Sequence, residues 1–300
     1  MAQLLEAALK WLAIARWWSF FTDFIAVTAG SLMALPSFSV LLYMAMLAGT
    51  ISINAFANFM NDIYDFRNGE GGRNRPMEAQ PNPIARHTAS MRELWRASAM
   101  SIAIAAVSGA YIMAHRGIAI LVLGLIGMSA AYFYSAGRRS IKSLALGEPL
   151  VFVIFGPIMT SSAYFVESGS ISIGAIAISV IIGTLVMLVL LANNVRDISS
   201  DKAAGARTLA TMVGQRFGAR LFVCIVALSY VLLAAFAAIG ALPLISLLAL
   251  ISLPYAIYVC RLMLHRSVPR NCAELTARLA LLFSMLLFIG IIAQRLLLPV

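Results

Sequence analysis

An all-α fold embedded in a membrane is what this sequence predicts, and three observations predict it. Apolar residues make up 62% of the 300 and charged residues only 11%, against about 45–50% and about 25% in soluble domains. The apolar residues gather into stretches that match a bilayer, about 20 residues at 1.5 Å rise each. Once those stretches are counted as crossings, nearly all the basic residues fall on one face.

Nine stretches qualify, at about 17–36, 39–61, 95–114, 117–134, 148–166, 171–192, 219–239, 241–259 and 276–294. The connections near 37, 115, 168 and 240 are very short; the others are longer and polar. The basic residues are Lys10, Lys142, Lys202 and 19 arginines. Nine crossings put 20 of these 22 on the side of the N-terminus, leaving Arg116 and Arg295 opposite. Lys and Arg in short loops mark the cytoplasmic side, so the N-terminus is predicted inside and the C-terminus outside. A different span count would scramble that split.

The net charge of +10 is thereby explained by topology and by contact with anionic lipid headgroups; it calls for no nucleic acid. Residues 1–16 read as a short amphipathic lead-in without a cleavable signal. Cys224, Cys260 and Cys272 are scattered, which excludes a disulfide framework and a cysteine metal site. The expectation is one intramembrane domain over 1–300, multi-pass in the cell inner membrane or plasma membrane. Oligomeric state is not legible.

The chain has five aspartates, and four lie in two clusters. Asn58-Phe59-Met60-Asn61-Asp62-Ile63-Tyr64-Asp65 stands at the cytoplasmic end of the second stretch. Asn193-Asn194-Val195-Arg196-Asp197-Ile198-Ser199-Ser200-Asp201 stands at the cytoplasmic end of the sixth. Asn58, Asp62 and Asp65 are spaced i, i+4, i+7, and Asn193, Asp197 and Asp201 are spaced i, i+4, i+8, so each set shares one helix face. Stacked carboxylates repel and are costly to desolvate near a bilayer. A cation removes both difficulties, and hard oxygen ligands suit Mg²⁺, which is readily shared with phosphate oxygens. Each face can hold an ion, with a diphosphate bridging them. The fifth aspartate, Asp23, lies within the first stretch, where a satisfied polar contact is the plainer account.

Basic residues follow both clusters. Asp201 is followed by Lys202, Gly205, Arg207 and Thr208; Asp65 by Arg67, Arg73 and Arg75, with Gly69, Gly71 and Gly72 loosening the chain. Arginine offers forked donors to phosphate oxygens, and Arg207 is the stronger phosphate candidate, Lys202 being equally suited to lipid. The loop after the fourth stretch offers Arg138, Arg139 and Lys142, with Lys142 the best placed of the three. These parts suit ionisation of an allylic diphosphate, in which metal and arginine neutralise the charge growing on the leaving group. Aromatic faces can steady the remaining carbocation, and Tyr64, Tyr132, Tyr134, Phe152 and Phe155 lie near the right ends of their stretches.

The two aspartate clusters, the second continuing as Asn193–Leu209, resemble the paired motifs of the UbiA superfamily of intramembrane prenyltransferases. Asn-x-x-Asn-Asp-x-x-Asp, Tyr134-Ser135-Ala136-Gly137, Leu146-Gly147-Glu148, Phe152 and Phe155-Gly156-Pro157 lean toward its 1,4-dihydroxy-2-naphthoate branch, which serves menaquinone biosynthesis. The likeness is strongest over about 55–90, 132–160 and 190–218. It implies nine helices around a central cavity and a prenyl diphosphate held through Mg²⁺. Asn58, Asp62 and Asp65 would match one metal face, Asp197 and Asp201 the other, and Asn193 leads the second motif as Asn58 leads the first. Tyr134 and Lys142 fall where the family places pocket or diphosphate contacts. The implied reaction joins the prenyl chain to an aromatic acceptor, with loss of the acceptor's carboxylate in naphthoate members.

The chain departs from the family in four places. Pro81-Asn82-Pro83-Ile84 replaces an Arg-Pro or similar basic element, for which Arg86 and His87 are candidate substitutes. Gly71 stands where a third acid is often found, beside Glu70. Ala206 replaces the lysine of Gly-Lys-Arg-Thr, and Arg138-Arg139 replaces a Gly/Pro-rich turn. Other acceptors therefore stay open: 4-hydroxybenzoate, a quinolone, an indole or another phenol. So does a membrane terpene cyclase, which ionises the same diphosphate and quenches the cation internally. A transporter or assembly protein is the non-enzymatic alternative, but a carrier would place its ionisable groups at mid-membrane, and only Asp23 approaches that. His115 and His265 read as solvated, and no residue declares itself a general base.

Overall fold

The computed structural model describes residues 2–68, 82–137, 140–203, 206–265 and 267–297, and all regular structure in them is helical. In chain order the helices are α1 (Ala2–Ile14), α2 (Phe20–Met33), α3 (Val40–Arg67), α4 (Met91–Arg116) and α5 (Ala119–Ser135). Then come α6 (Gly147–Ser168), α7 (Ile173–Arg196), the short α8 (Ile198–Ala203) and α9 (Leu209–Val213), α10 (Gln215–Ala238), α11 (Leu244–Met263) and α12 (Cys272–Leu297).

Each of the nine apolar stretches carries a helix. Among the described residues seven helices, α3, α4, α6, α7, α10, α11 and α12, are long and apolar enough to cross a membrane. The other two stretches fold as shorter helices, α5 with 17 residues and α2 with 14. The protein is an all-α polytopic membrane protein.

Two of the polar segments fold otherwise than hydropathy suggested. The second stretch was expected to end at 61, yet α3 runs on to Arg67. Phe59, Met60 and Ile63 continue its apolar face, buried in a cluster with Leu94 of α4 and Ala131 of α5, so the polar residues interrupt only one side of the helix. The second cluster straddles a break, because α7 ends at Arg196 and α8 begins at Ile198. Its four-residue spacing survives nonetheless: Asp197 N donates to Asn193 O at 3.0 Å and Asp201 N to Asp197 O at 2.8 Å.

The chain divides into two compact units, Met1–Phe24 with Met44–Leu144, and Ile25–Tyr43 with Ala145–Val300. In the first, Trp11 of α1 meets Phe59 edge-on at 6.3 Å between ring centroids. A capping box at Ser90 and Glu93 starts α4. In the second, α7 is the central element, packed by α6, α10 and α12. The α6–α7 contact is backbone to backbone: a Cβ added at Gly156 would lie 2.5 Å from Ser179 O, and one at Gly183 2.7 Å from Phe152 O. Beside Gly156, Pro157 lacks the N–H that an α-helix needs, and α6 widens to π-helical geometry over Ile154–Thr160. Hydroxyl pairs tie the other helices, Thr184 to Ser229 at 2.8 Å and Tyr230 to Ser252 at 2.6 Å.

Candidate functional site

The first carboxylate face is built within α3. Because that helix is continuous, Asn58, Asp62 and Asp65 keep the spacing the sequence implies. The two carboxylates are nearly enclosed, Asp62 at 5% exposure and Asp65 at 1%. Buried carboxylates need counter-charge, and each has it. Arg16 sits in the left-handed region (φ 59°), turning the chain between α1 and α2. Its Nη2 donates to Asp62 Oδ1 at 2.7 Å. Lys142, in a 3-10 turn after α5, pairs with Asp65 and donates to Asn61 Oδ1 at 2.8 Å. Asn61 also accepts from Ser135 at 3.0 Å and donates to Asp65 Oδ2 at 3.2 Å. Asn82 fastens the next loop to the same turn: its Nδ2 donates to Asp62 O at 2.7 Å, while its Oδ1 accepts from the N–H groups of Ile84 and Ala85. Asn82 of that departure, whose Pro81 lies outside the described residues, is thus a structural clasp. Arg86 and His87 beside it are exposed.

The aromatic residues near this face are organised. The hydroxyls of Tyr64 and Tyr132 meet at 2.8 Å with their rings edge to face, and the Arg67 guanidinium lies over Tyr64 at 5.9 Å and over Trp95 at 5.8 Å. Tyr134 is half-buried on α5.

The second face belongs to the other unit and is more open. Asp197 receives both Nε and Nη2 of the adjacent Arg196 at 2.7 Å, and Arg196 Nη1 reaches the carbonyl of Arg270 at 3.3 Å. Asn193 and Asp201 are half-buried, and Lys202 and Arg207 exposed. Thr208 closes the motif by capping α9, with its hydroxyl accepting from Thr211 N at 3.2 Å. The carbonyl of Arg207 accepts from Ala145 N at 3.0 Å. On the same unit Asn194 donates to the buried Glu148 at 2.9 Å, so the Leu-Gly-Glu element fastens α6 to α7.

Arg16, Asn61, Asn82 and Arg196 hydrogen-bond to the aspartates of the two clusters, and the sequence alone did not single them out for the site. Arg16 was counted as a topological charge and is joined to Asp62 only by the fold. Asn61 and Arg196 lay inside the motifs, and their polarity was the available signal. Glu70, Gly69, Gly71, Gly72, Arg73, Arg75, Arg138, Arg139 and Gly205 lie outside the described residues.

Each face is a set of hard oxygen donors, two carboxylates preceded by an asparagine, with cationic side chains alongside. Among the described residues no three His, Cys, Asp or Glu side chains form a closed cage. That donor set fits a hard divalent cation completed by a ligand's phosphate oxygens.

The chain is similar to known proteins in sequence and in fold. The chain is 27% identical to the 1,4-dihydroxy-2-naphthoate octaprenyltransferase of Bacillus subtilis (strain 168), over 90% of this chain and 88% of that one. It is 25% identical to the human UbiA prenyltransferase domain-containing protein 1, over 92% and 81%. Its fold is similar to that of a UbiA homolog from Aeropyrum pernix K1 in its apo form (TM-score 0.70, 16% identity, 92% and 97% covered). It is similar too to a UbiA homolog from Archaeoglobus fulgidus solved with DMAPP and Mg²⁺ (TM-score 0.67, 18% identity, 94% and 99% covered). Residues 24–288 match the pattern of the UbiA prenyltransferase family, and with that match reaching through both units the chain belongs to this family and is an enzyme of its class.

Proposed function

We propose that the protein transfers a prenyl chain from an allylic prenyl diphosphate to 1,4-dihydroxy-2-naphthoate, releasing diphosphate, with Mg²⁺ as cofactor. The observation that carries this reading is the pair Asp62 and Asp65, nearly buried and each met by a cation from another part of the chain. The name of the Bacillus subtilis relative supports the acceptor, and the Mg²⁺ and DMAPP of the Archaeoglobus fulgidus structure support the cofactor and donor. In this reading 1–300 is one catalytic domain of nine membrane helices around a central cavity. Its N-terminus and active site face the cytoplasm from an inner or plasma membrane.

Asp62, Asp65, Asp197 and Asp201 would hold the metal, and Asn58 and Asn193 would lend amides beside them. Bound there, Mg²⁺ supplies positive charge against the departing diphosphate. Arg16 and Lys142 add fixed positive charge at the first face. Lys202 and Arg207, exposed and following the second face, bind diphosphate oxygens. Tyr134, with Tyr64 and Tyr132, offers ring faces to the allylic cation. The C1–O bond of the donor breaks with its electron pair going to the diphosphate, the ring carbon of the acceptor bonds to C1, and the acceptor's carboxylate leaves as carbon dioxide.

Mass spectrometry of purified protein with Mg²⁺ and geranyl, farnesyl and longer diphosphates, with and without an acceptor panel, tests the proposal. The panel holds 1,4-dihydroxy-2-naphthoate, 4-hydroxybenzoate and a quinolone. Decarboxylated, prenylated naphthoate formed only when naphthoate is present is the expected result. A product on another acceptor would reassign the substrate, and a cyclised terpene without acceptor would make the protein a cyclase.

A further inference from the structure

Asp23 stands outside both carboxylate faces, and the chemistry above leaves it without a task. It is fully buried on α2. Its Oδ2 accepts from Asn54 Nδ2 at 2.5 Å, while its Oδ1 is buried with no hydrogen-bond partner among the described residues. Such a half-satisfied carboxylate is costly between helices, and stability alone gives no reason for it.

The hydrogen bonds lead from Asp23 to the first face. Asn54 Oδ1 accepts from Asn58 Nδ2 at 3.2 Å and from Ser19 Oγ at 3.3 Å. Asn58 Nδ2 also donates to the carbonyl of Ala15 at 2.9 Å. Asn54, Asn58 and Asp62 follow one another at single turns along α3.

A carboxamide is nearly symmetrical in shape, so its partners decide which end points where. Asp23 Oδ2 takes up the NH₂ of Asn54, which turns the Asn54 oxygen toward Asn58. That oxygen requires the NH₂ of Asn58, and the Ala15 carbonyl requires the same. The Asn58 oxygen is left on the opposite branch of its amide, and among the described residues no donor engages it.

We propose that Asp23 is a positioning residue: through Asn54 it fixes the Asn58 amide so that its carbonyl oxygen is presented as a hard ligand on the Asp62–Asp65 face. The inference rests on the Mg²⁺ reading of that face. It assigns a role to the acid inside α2 and explains why Asn54, which belongs to neither motif, is an amide.

The test is binding of Mn²⁺ in place of Mg²⁺. Loss of the free-ion electron paramagnetic resonance signal is followed in the presence of an unreactive farnesyl thiodiphosphate. Wild type is compared with Asp23→Asn, Asn58→Ala and the double variant, and each melting curve is recorded. Asp23→Asn keeps the shape and replaces the carboxyl group that takes the Asn54 NH₂. It should weaken Mn²⁺ binding by about 10-fold, at the low end for residues that orient a metal ligand. The double variant should bind no more weakly than Asn58→Ala, because the two act as one unit. Asn54→Ala, which keeps the Asp23 carboxyl group, should show the same loss and stands in if Asp23→Asn does not fold. Wild-type affinity in Asp23→Asn or Asn54→Ala overturns the relay. So does a full second loss on the Asn58→Ala background, since that is the mark of a charge acting through space. Wild type that takes up no Mn²⁺ with the analogue overturns the metal reading itself, and the inference with it.

Discussion

The two carboxylate faces are alike in sequence and unlike in structure. Asp62 and Asp65 lie inside an unbroken helix, nearly excluded from solvent, and their cations come from 46 and 77 residues away. Asp197 lies at a helix break with its side chain 31% exposed, and its cation is its own neighbour Arg196. A long-range pair fixes a carboxylate only once the chain has folded around it, and then holds it rigidly. A neighbouring pair is available at once and can exchange for water or ligand. Two similar motifs therefore yield a preorganised face and an adaptable one.

Neutralising one acid on each face tests that contrast most severely. Asp62→Asn should lower turnover by about 10³-fold, at the upper end for loss of one preorganised electrostatic group, and excess Mg²⁺ should not restore it. Asp197→Asn should lose about 10²-fold and recover part of that at high Mg²⁺. Equal losses with equal recovery would erase the distinction. A smaller effect is expected from Arg16→Ala. The pair it breaks is partly buried, so unfolding should cost about 1–2 kcal/mol less, between the ranges for exposed and buried pairs, seen as a lowered melting temperature. An unchanged melting curve would mean that Arg16 serves the ligand alone. Arg207→Ala should be mildest for turnover, raising KM for the prenyl diphosphate about 10-fold with kcat nearly constant, and normal kinetics would remove Arg207 from the site.

The sequence made the helices legible because a bilayer demands long apolar runs, and the same runs carry helices here. It also made the motif faces legible, since four-residue spacing survives both in α3 and across the break at Asp197. What it concealed follows from how it was read. Averaged hydropathy takes Asn61-Asp62 for an end, although Met60 and Ile63 keep the opposite side of α3 apolar. Arg16 looks like any basic residue beside a membrane until the left-handed turn aims it at Asp62. Asp23 and Asn54 are 31 residues apart and have no motif to announce them. Lys142 was legible as a basic residue in the loop after the fourth stretch, and the family resemblance pointed to the same position.

The ion pairs at Asp62 and Asp65 also bear on how the protein is made. A chain whose acids awaited an external cation would enter the membrane with uncompensated charge and would depend on metal to fold. Here Arg16 and Lys142 cover those two acids from within, so Asp62 and Asp65 need no outside cation as the helices assemble. Cofactor and substrate can arrive afterwards at a finished protein, and a chelator would silence it without unfolding it.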